Sequence, residues 1–245
     1  MGKQGDSQQA DEPGSVAAQV SQSDGQQGSN GDNPEQAQAA TFLITEHTTL
    51  QTASSATVFE SNGRAGLLLT SVSSAVVALA FIGQISQMGA AFYIFALVLF
   101  PSLFFVGLFT FVQVLDTAIQ NVGYRRGMNR IRHFYVQIAP SAESYFIRAT
   151  SNDAAASESI IDPVVAPSAW GIFLTTAGMV SVVNSVLLGV FVGVLVQVVF
   201  GLSLIVCTGV GIVFFLLSVV IHYAYQLRAW VKAERHFKST FPPSA

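Results

Sequence analysis

Charge is what this chain lacks. Asp, Glu, Lys and Arg make up only 10% of its 245 residues, 11 basic and 14 acidic, where an ordinary soluble domain carries roughly 25%. With 51% hydrophobic residues and a mean hydropathy of +0.52, too little polar surface remains to face water on all sides. A soluble globular domain is excluded. Cysteine is almost absent as well: Cys207 stands alone, which excludes a disulfide framework and a cysteine-cluster zinc site. The reading that remains is an integral membrane protein with a polar portion.

The few charges are also unevenly placed. None occurs in the 51 residues from Ala65 to Leu115, and none in the 65 residues from Pro163 to Leu227. A helix needs about 20 apolar residues to cross a hydrocarbon core of about 30 Å, so each run holds two spans joined by a short turn. The sequence therefore predicts an all-α, polytopic membrane protein with four transmembrane helices in two hairpins. Expected spans are 65–85, 91–115, 170–194 and 202–227. A polar break at Gln84-Ile-Ser-Gln-Met-Gly89 separates the first pair, and an apolar turn around 195–201 separates the second.

Basic residues set the expected orientation. Arg64, Arg125, Arg126, Arg130, Arg132, Arg148, Arg228, Lys232, Arg235 and Lys238 flank the spans on one side, and both hairpin turns are uncharged. The positive-inside rule then puts both termini in the cytoplasm and the chain in the cell membrane. A cleaved signal peptide is not expected, because the apolar stretch begins some 65 residues in. Met1-Gly2 suggests N-myristoylation, but Asp6 stands where Ser or Thr is wanted.

Residues 1–41 read as a disordered polar tail. The first 40 hold nine glutamines, six glycines, five serines and no aromatic residue, and six acids against Lys3 leave no apolar area to offset the ordering entropy. Residues 42–64 read as a juxtamembrane segment with a short interfacial helix. Residues 116–169 form the loop between hairpins. Tyr124, Met128, Ile131, Tyr135 and Ile138 follow a helical period there, which extends the second span until Pro140. A short helix from Ser141 to Arg148 and an Ala/Ser/Asp-rich linker follow. A basic tail, 228–245, ends the chain.

Inside lipid, helices associate through small residues and interhelical hydrogen bonds. Ala177, Ser181, Ser185, Gly189 and Gly193 recur at i, i+4 on the third span, and Gly66, Thr70, Ser74 and Ala78 on the first. Both rows read as packing seams, either within one chain or between subunits of a homo-oligomer. Asn184 reads as a hydrogen bond across a helix interface. His222 reads as part of the aromatic belt beside Tyr223, Tyr225 and Trp230, with a proton relay as the other reading. Pro101 predicts a kink in the second span by releasing the Leu97 carbonyl, with Ser102 placed to satisfy it. The phenylalanines of that span read as filler or as a hydrophobic gate.

Asn129-Arg-Ile-Arg-His-Phe-Tyr135 and the two hairpins around it resemble small multi-pass membrane proteins of bacteria over residues 60–235. That resemblance implies no activity. More distantly, the plan resembles membrane-disrupting effectors of bacterial defence.

Neither HExxH, Walker A nor GxSxG is found, and Asp116, Glu143, Asp153, Glu158 and Asp162 are scattered. No catalytic, cofactor-binding or metal-ligating residue is assigned, and no cofactor is expected. With no Asp, Glu, Lys or Arg in the spans, ion-coupled transport is disfavoured. Arg125, Arg126, Arg130 and Arg132 are the candidate contacts for an anion or lipid headgroup. Membrane lipids are the expected partner and nucleic acid is not. The function read from the sequence is structural, scaffolding or regulatory with self-association. The alternative is a signal-gated pore lined by Thr175, Ser181, Asn184 and Ser185.

Overall fold

The computed structural model describes residues 34–146 and 175–236. Among these, four α-helices and one 3-10 helix account for the regular structure: α1 (Pro34–Ile85), α2 (Ala90–Ile138), the 3-10 helix Pro140–Tyr145, α3 (Thr176–Phe200) and α4 (Leu204–His236). Each α-helix is long and apolar enough to cross a bilayer. The chain is an all-α, multi-pass membrane protein. Residues 1–41 form one unit of the chain and residues 42–245 a second.

Three boundaries differ from the sequence reading. The helix starts at Pro34, inside the segment expected to be disordered. Proline is pre-organised for the first helical turn, and Glu35 followed by Gln-Ala-Gln-Ala-Ala supplies good helix formers. The expectation for residues 1–33 lies outside the described residues. Residues 42–64 are not a separate interfacial helix but run unbroken into the first span. Their threonines explain this: the hydroxyls of Thr48, Thr49 and Thr52 each donate to the carbonyl four residues back, at 2.9–3.0 Å. They thereby satisfy themselves on the helix. The third boundary is the second turn. α3 continues through Val198-Val199-Phe200, and the chain reverses over 201–203. Gly201 takes φ +59° there and its N–H donates to the Gln197 carbonyl at 3.0 Å, a left-handed cap that glycine adopts without penalty.

The first turn lies at Ser86–Gly89, within the polar break. Met88 N–H reaches back to the Gly83 carbonyl at 3.0 Å, and Gln87 and Met88 both have positive φ. α2 passes through Pro101 and stays helical on both sides. The Ser102 hydroxyl donates to Val98 at 2.7 Å, so it does not serve the Leu97 carbonyl. The helix expected at 141–148 is a 3-10 helix as far as Tyr145. Residues 147–174, with the linker and the expected start of the third span, lie outside the described residues.

Packing is layered. Ala65 and Leu68 of α1, Phe111, Val114 and Leu115 of α2, and Ala177 and Val180 of α3 form one buried cluster. Ala96 and Phe100 of α2 with Leu187 of α3 form a second, nearer the turns. Outward faces carry Leu67, Phe81, Ile94, Phe109, Ile205 and Val213, all exposed. Apolar surface of that extent belongs against hydrocarbon. Phe111 is core and Phe105 and Phe109 face outward, so the phenylalanines divide between the two environments.

Beyond the spans, α1, α2 and α4 extend together as a stalk. Ser54 Oγ donates to Asn121 Oδ1 at 2.6 Å. Leu50 fills the space beside Gly127, where a Cβ would come within 2.9 Å of its Cδ1. Arg126 Nη2 donates to both carboxylate oxygens of Glu234, at 2.8 and 2.6 Å, tying α2 to α4. His47 on α1 has its pKa lowered, first by burial and then by the charge of Arg132. Burial also raises that of Tyr135.

Candidate functional site: a buried polar seam

The buried polar side chains deep in the spans gather between α3 and α4. On α4 the buried positions are Cys207, Gly211, Ser218, His222 and Gln226, spaced by four and seven residues and thus on one face. On α3 the facing positions are Ala177, Ser181, Asn184, Ser185 and Gly189, all buried, with Gly193 continuing the row. The third-span stripe is therefore an intrachain seam. A Cβ on Gly189 would lie 2.7 Å from the Gly211 carbonyl oxygen, and one on Gly211 the same distance from that of Gly189. One on Gly193 would lie 3.2 Å from the Cys207 carbonyl oxygen. Only glycines let these backbones approach so closely.

The first-span row behaves differently. Gly66, Thr70 and Ser74 are exposed and Ala78 only half-buried. No atom lies within 4 Å of a Cβ placed on Gly66, and the Thr70 hydroxyl turns back to the Gly66 carbonyl. Ala65, Leu68 and Ala75 are the buried face of that helix instead. Helical rows one residue apart differ by about 100°, and composition alone did not choose between them.

The close approach on α3 and α4 builds a hydrogen-bond chain. Ser181 Oγ donates to the Gly178 carbonyl at 2.7 Å. Ser185 Oγ lies 2.8 Å from the Ser181 carbonyl and 2.9 Å from Ser218 Oγ. His222 Nδ1 lies 2.8 Å from the Ser218 carbonyl. A carbonyl only accepts, so Nδ1 carries a proton, and Nε2 is left to accept from Asn184 Nδ2 at 3.3 Å. Phe111 closes the ring on its remaining side, edge-on at 4.8 Å between centroids. His222 is only 5% exposed: it belongs to the bundle interior, not to an aromatic belt.

Asn184 holds the key position. It is 0% exposed, its Nδ2 bonds α4, and its Oδ1 fills the space a Cβ of Gly107 on α2 would occupy. Among the described residues that oxygen has no hydrogen-bond partner. One amide thus touches both neighbouring helices. Comparison with family models, with curated proteins and with solved structures finds no match. The function rests on this geometry alone.

Two openings adjoin the seam. At the stalk end, Gln226 Nε2 lies 3.4 Å from Thr175 Oγ1, and Thr175 borders a cleft of about 270 Å³ with a mixed polar and apolar lining between α1, α2 and α3. At the turn end, an apolar groove of about 680 Å³ opens between Phe92, Val190, Val194, Leu204, Ile212 and Phe215. Among the described residues no group of three His, Cys, Asp or Glu side chains is placed to hold a metal ion.

The basic stretch is divided by the fold. Arg126 has a side chain 5% exposed and paired with Glu234, itself 55% exposed; it is committed inside the stalk. Arg132 donates to Asn129 Oδ1 at 2.8 Å. Arg130 is exposed and Arg125 half-buried. The sequence reading missed Gln226, Ser218 and Glu234. The four-residue spacing of Ser218, His222 and Gln226 was the available signal.

Proposed function

We propose that the chain is a non-enzymatic protein of the cell membrane that couples a cytoplasmic helical stalk to a bilayer-embedded bundle, in a structural or regulatory role. The observation that carries this reading is continuity. α2 is one helix of 49 residues, about 74 Å at 1.5 Å per residue, passing without a break from core to stalk. Arg126 in the stalk engages α4, and Gly107 in the span abuts Asn184. A displacement of the stalk is thus carried to α4 through Arg126 and to α3 through Asn184. The basic residues flanking the stalk support its placement in the cytoplasm.

Self-association belongs to the same proposal, through the outward row of α1. The α3 stripe is used up within the chain, and the α1 row stands open. The burial of Ser181, Asn184 and Ser185 against their own neighbours weighs against a pore through a single bundle. The test is disulfide crosslinking in native membranes, in a Cys207→Ser background. Thr70→Cys and Ser74→Cys are expected to give a covalent dimer, and Ser185→Cys none. A chain that stays monomeric with both α1 cysteines sinks self-association through this face.

A further inference from the structure

The cleft at the stalk end of the bundle has a mixed lining, in which hydrogen-bonding side chains stand beside apolar ones. Ser61, Asn62, Asn121 and Thr175 line it, beside Val114 and Ala177. Among the described residues no Lys, Arg, Asp or Glu side chain lines it. Two amides have their oxygens already engaged: Asn121 Oδ1 accepts from Ser54, and Asn62 Oδ1 accepts from Thr176 Oγ1 at 3.3 Å. Each is left presenting an NH2 group. Ser61 is only 9% exposed, lines the cleft, and among the described residues its hydroxyl makes no hydrogen bond.

The N-terminus of α3 points its positive end into the same space. Thr175 caps it by accepting from the Gly178 N–H at 3.0 Å, and Met179 N–H donates to the Thr175 carbonyl. The N–H groups of Thr176 and Ala177 have no acceptor within the helix. Unsatisfied N–H groups and the helix dipole together favour an anion. Among the described residues the carboxylates adjacent in sequence to the lining look elsewhere: Glu60 is paired with Arg64, and Asp116 is exposed.

We propose that this cleft binds a phosphate oxyanion. Ser61 Oγ, the Nδ2 groups of Asn62 and Asn121, and the first N–H groups of α3 are its donors. The site lies where the apolar spans begin, at Ala65, Leu115 and Thr176, which is the depth of lipid phosphates. A lipid headgroup and a free phosphate offer the same chemistry to these donors. Neutral donors make the site moderate in affinity and selective for oxygens over halide.

The test uses the full chain in maltoside micelles, with the Asn62 and Asn121 side-chain amide signals followed by NMR. One arm adds inorganic phosphate, the other dihexanoyl phosphatidic acid, and chloride at matched ionic strength is the control. Both amides are expected to shift saturably with phosphate, with the lipid, or with both, and not with chloride. Saturation by phosphate assigns a free oxyanion, and saturation by the lipid alone assigns a headgroup. Asn121→Asp keeps the acceptor for Ser54 and replaces the donor by a repelling carboxylate, so its fold is retained. It is expected to weaken binding at least about tenfold, and Ser61→Ala severalfold. No saturable shift in either arm, equal shifts with chloride, or undiminished binding by Asn121→Asp overturns the proposal.

Discussion

Leucine at Gly189 forces α3 away from α4 and unfolds the second hairpin. The obstruction is backbone: the Gly211 carbonyl oxygen stands 2.7 Å from the new Cβ, and Phe215 Cβ stands 3.0 Å away. A helix carbonyl cannot swing aside as a side-chain tip can, so the axes must part. Parting them breaks the Ser185–Ser218 hydrogen bond and strips the Asn184–His222 pair of its geometry. Overpacking of this kind costs about 1–3 kcal/mol for alanine, and more for leucine. Gly211→Ala meets the same obstruction from the other side, so the double alanine variant costs clearly less than the sum of the singles. Gly209 has open space where its Cβ would be, and Gly209→Ala is neutral or stabilising by up to about 1 kcal/mol. Unfolding midpoints in an SDS titration, followed by tryptophan fluorescence, rank these variants. Equal stability of Gly189→Leu and Gly209→Ala contradicts the seam.

The second large effect is at Gly107, and it has a rescue. Alanine there drives its Cβ into Asn184 Oδ1. The amide then has to rotate, which breaks its bond to His222 Nε2 and leaves a buried acceptor on the histidine. The clash and the lost bond together are expected to cost about 2 kcal/mol. Asn184→Ala removes both the obstructing atom and the bond. In that background Gly107→Ala is expected to cost little, since the space is empty. The cycle therefore yields a coupling of at least about 1 kcal/mol between residues on different helices. Additive costs mean that Gly107 and Asn184 do not meet.

Much of the architecture was legible before the structure. Two runs without charge determine four spans, and the polar break at 84–89 locates the first turn. The second turn was misplaced because valine and phenylalanine carry no stop signal; only Gly201, with its left-handed φ, ends that helix. Residues 42–64 read as a short interfacial helix because apolar side chains stand there among threonine and serine hydroxyls. Those threonine hydroxyls bond their own backbone. The α3 stripe was visible as a seam, yet its partner was not. That partner is a second pair of positions, Cys207 and Gly211, whose spacing carries meaning only once both helices are laid together. His222 shows the same limit. Beside Tyr223 and Tyr225 in the sequence it looks interfacial, whereas the turn of the helix places it with Ser218 and Gln226, facing Asn184. Arg126 lies among exposed or half-buried arginines and is the one turned inward to Glu234.

The central claim is a four-span bundle whose three stalk helices share one side of the membrane. Single cysteines in a Cys207→Ser background, labelled in intact cells by a membrane-impermeant maleimide, test it directly. Gln87→Cys and Ser203→Cys, in the two turns, are expected to react from outside. Glu46→Cys, Gln120→Cys and Lys232→Cys are expected to react only after lysis. Turn cysteines labelled from opposite sides, or a Lys232→Cys labelled together with the turns, contradict the account.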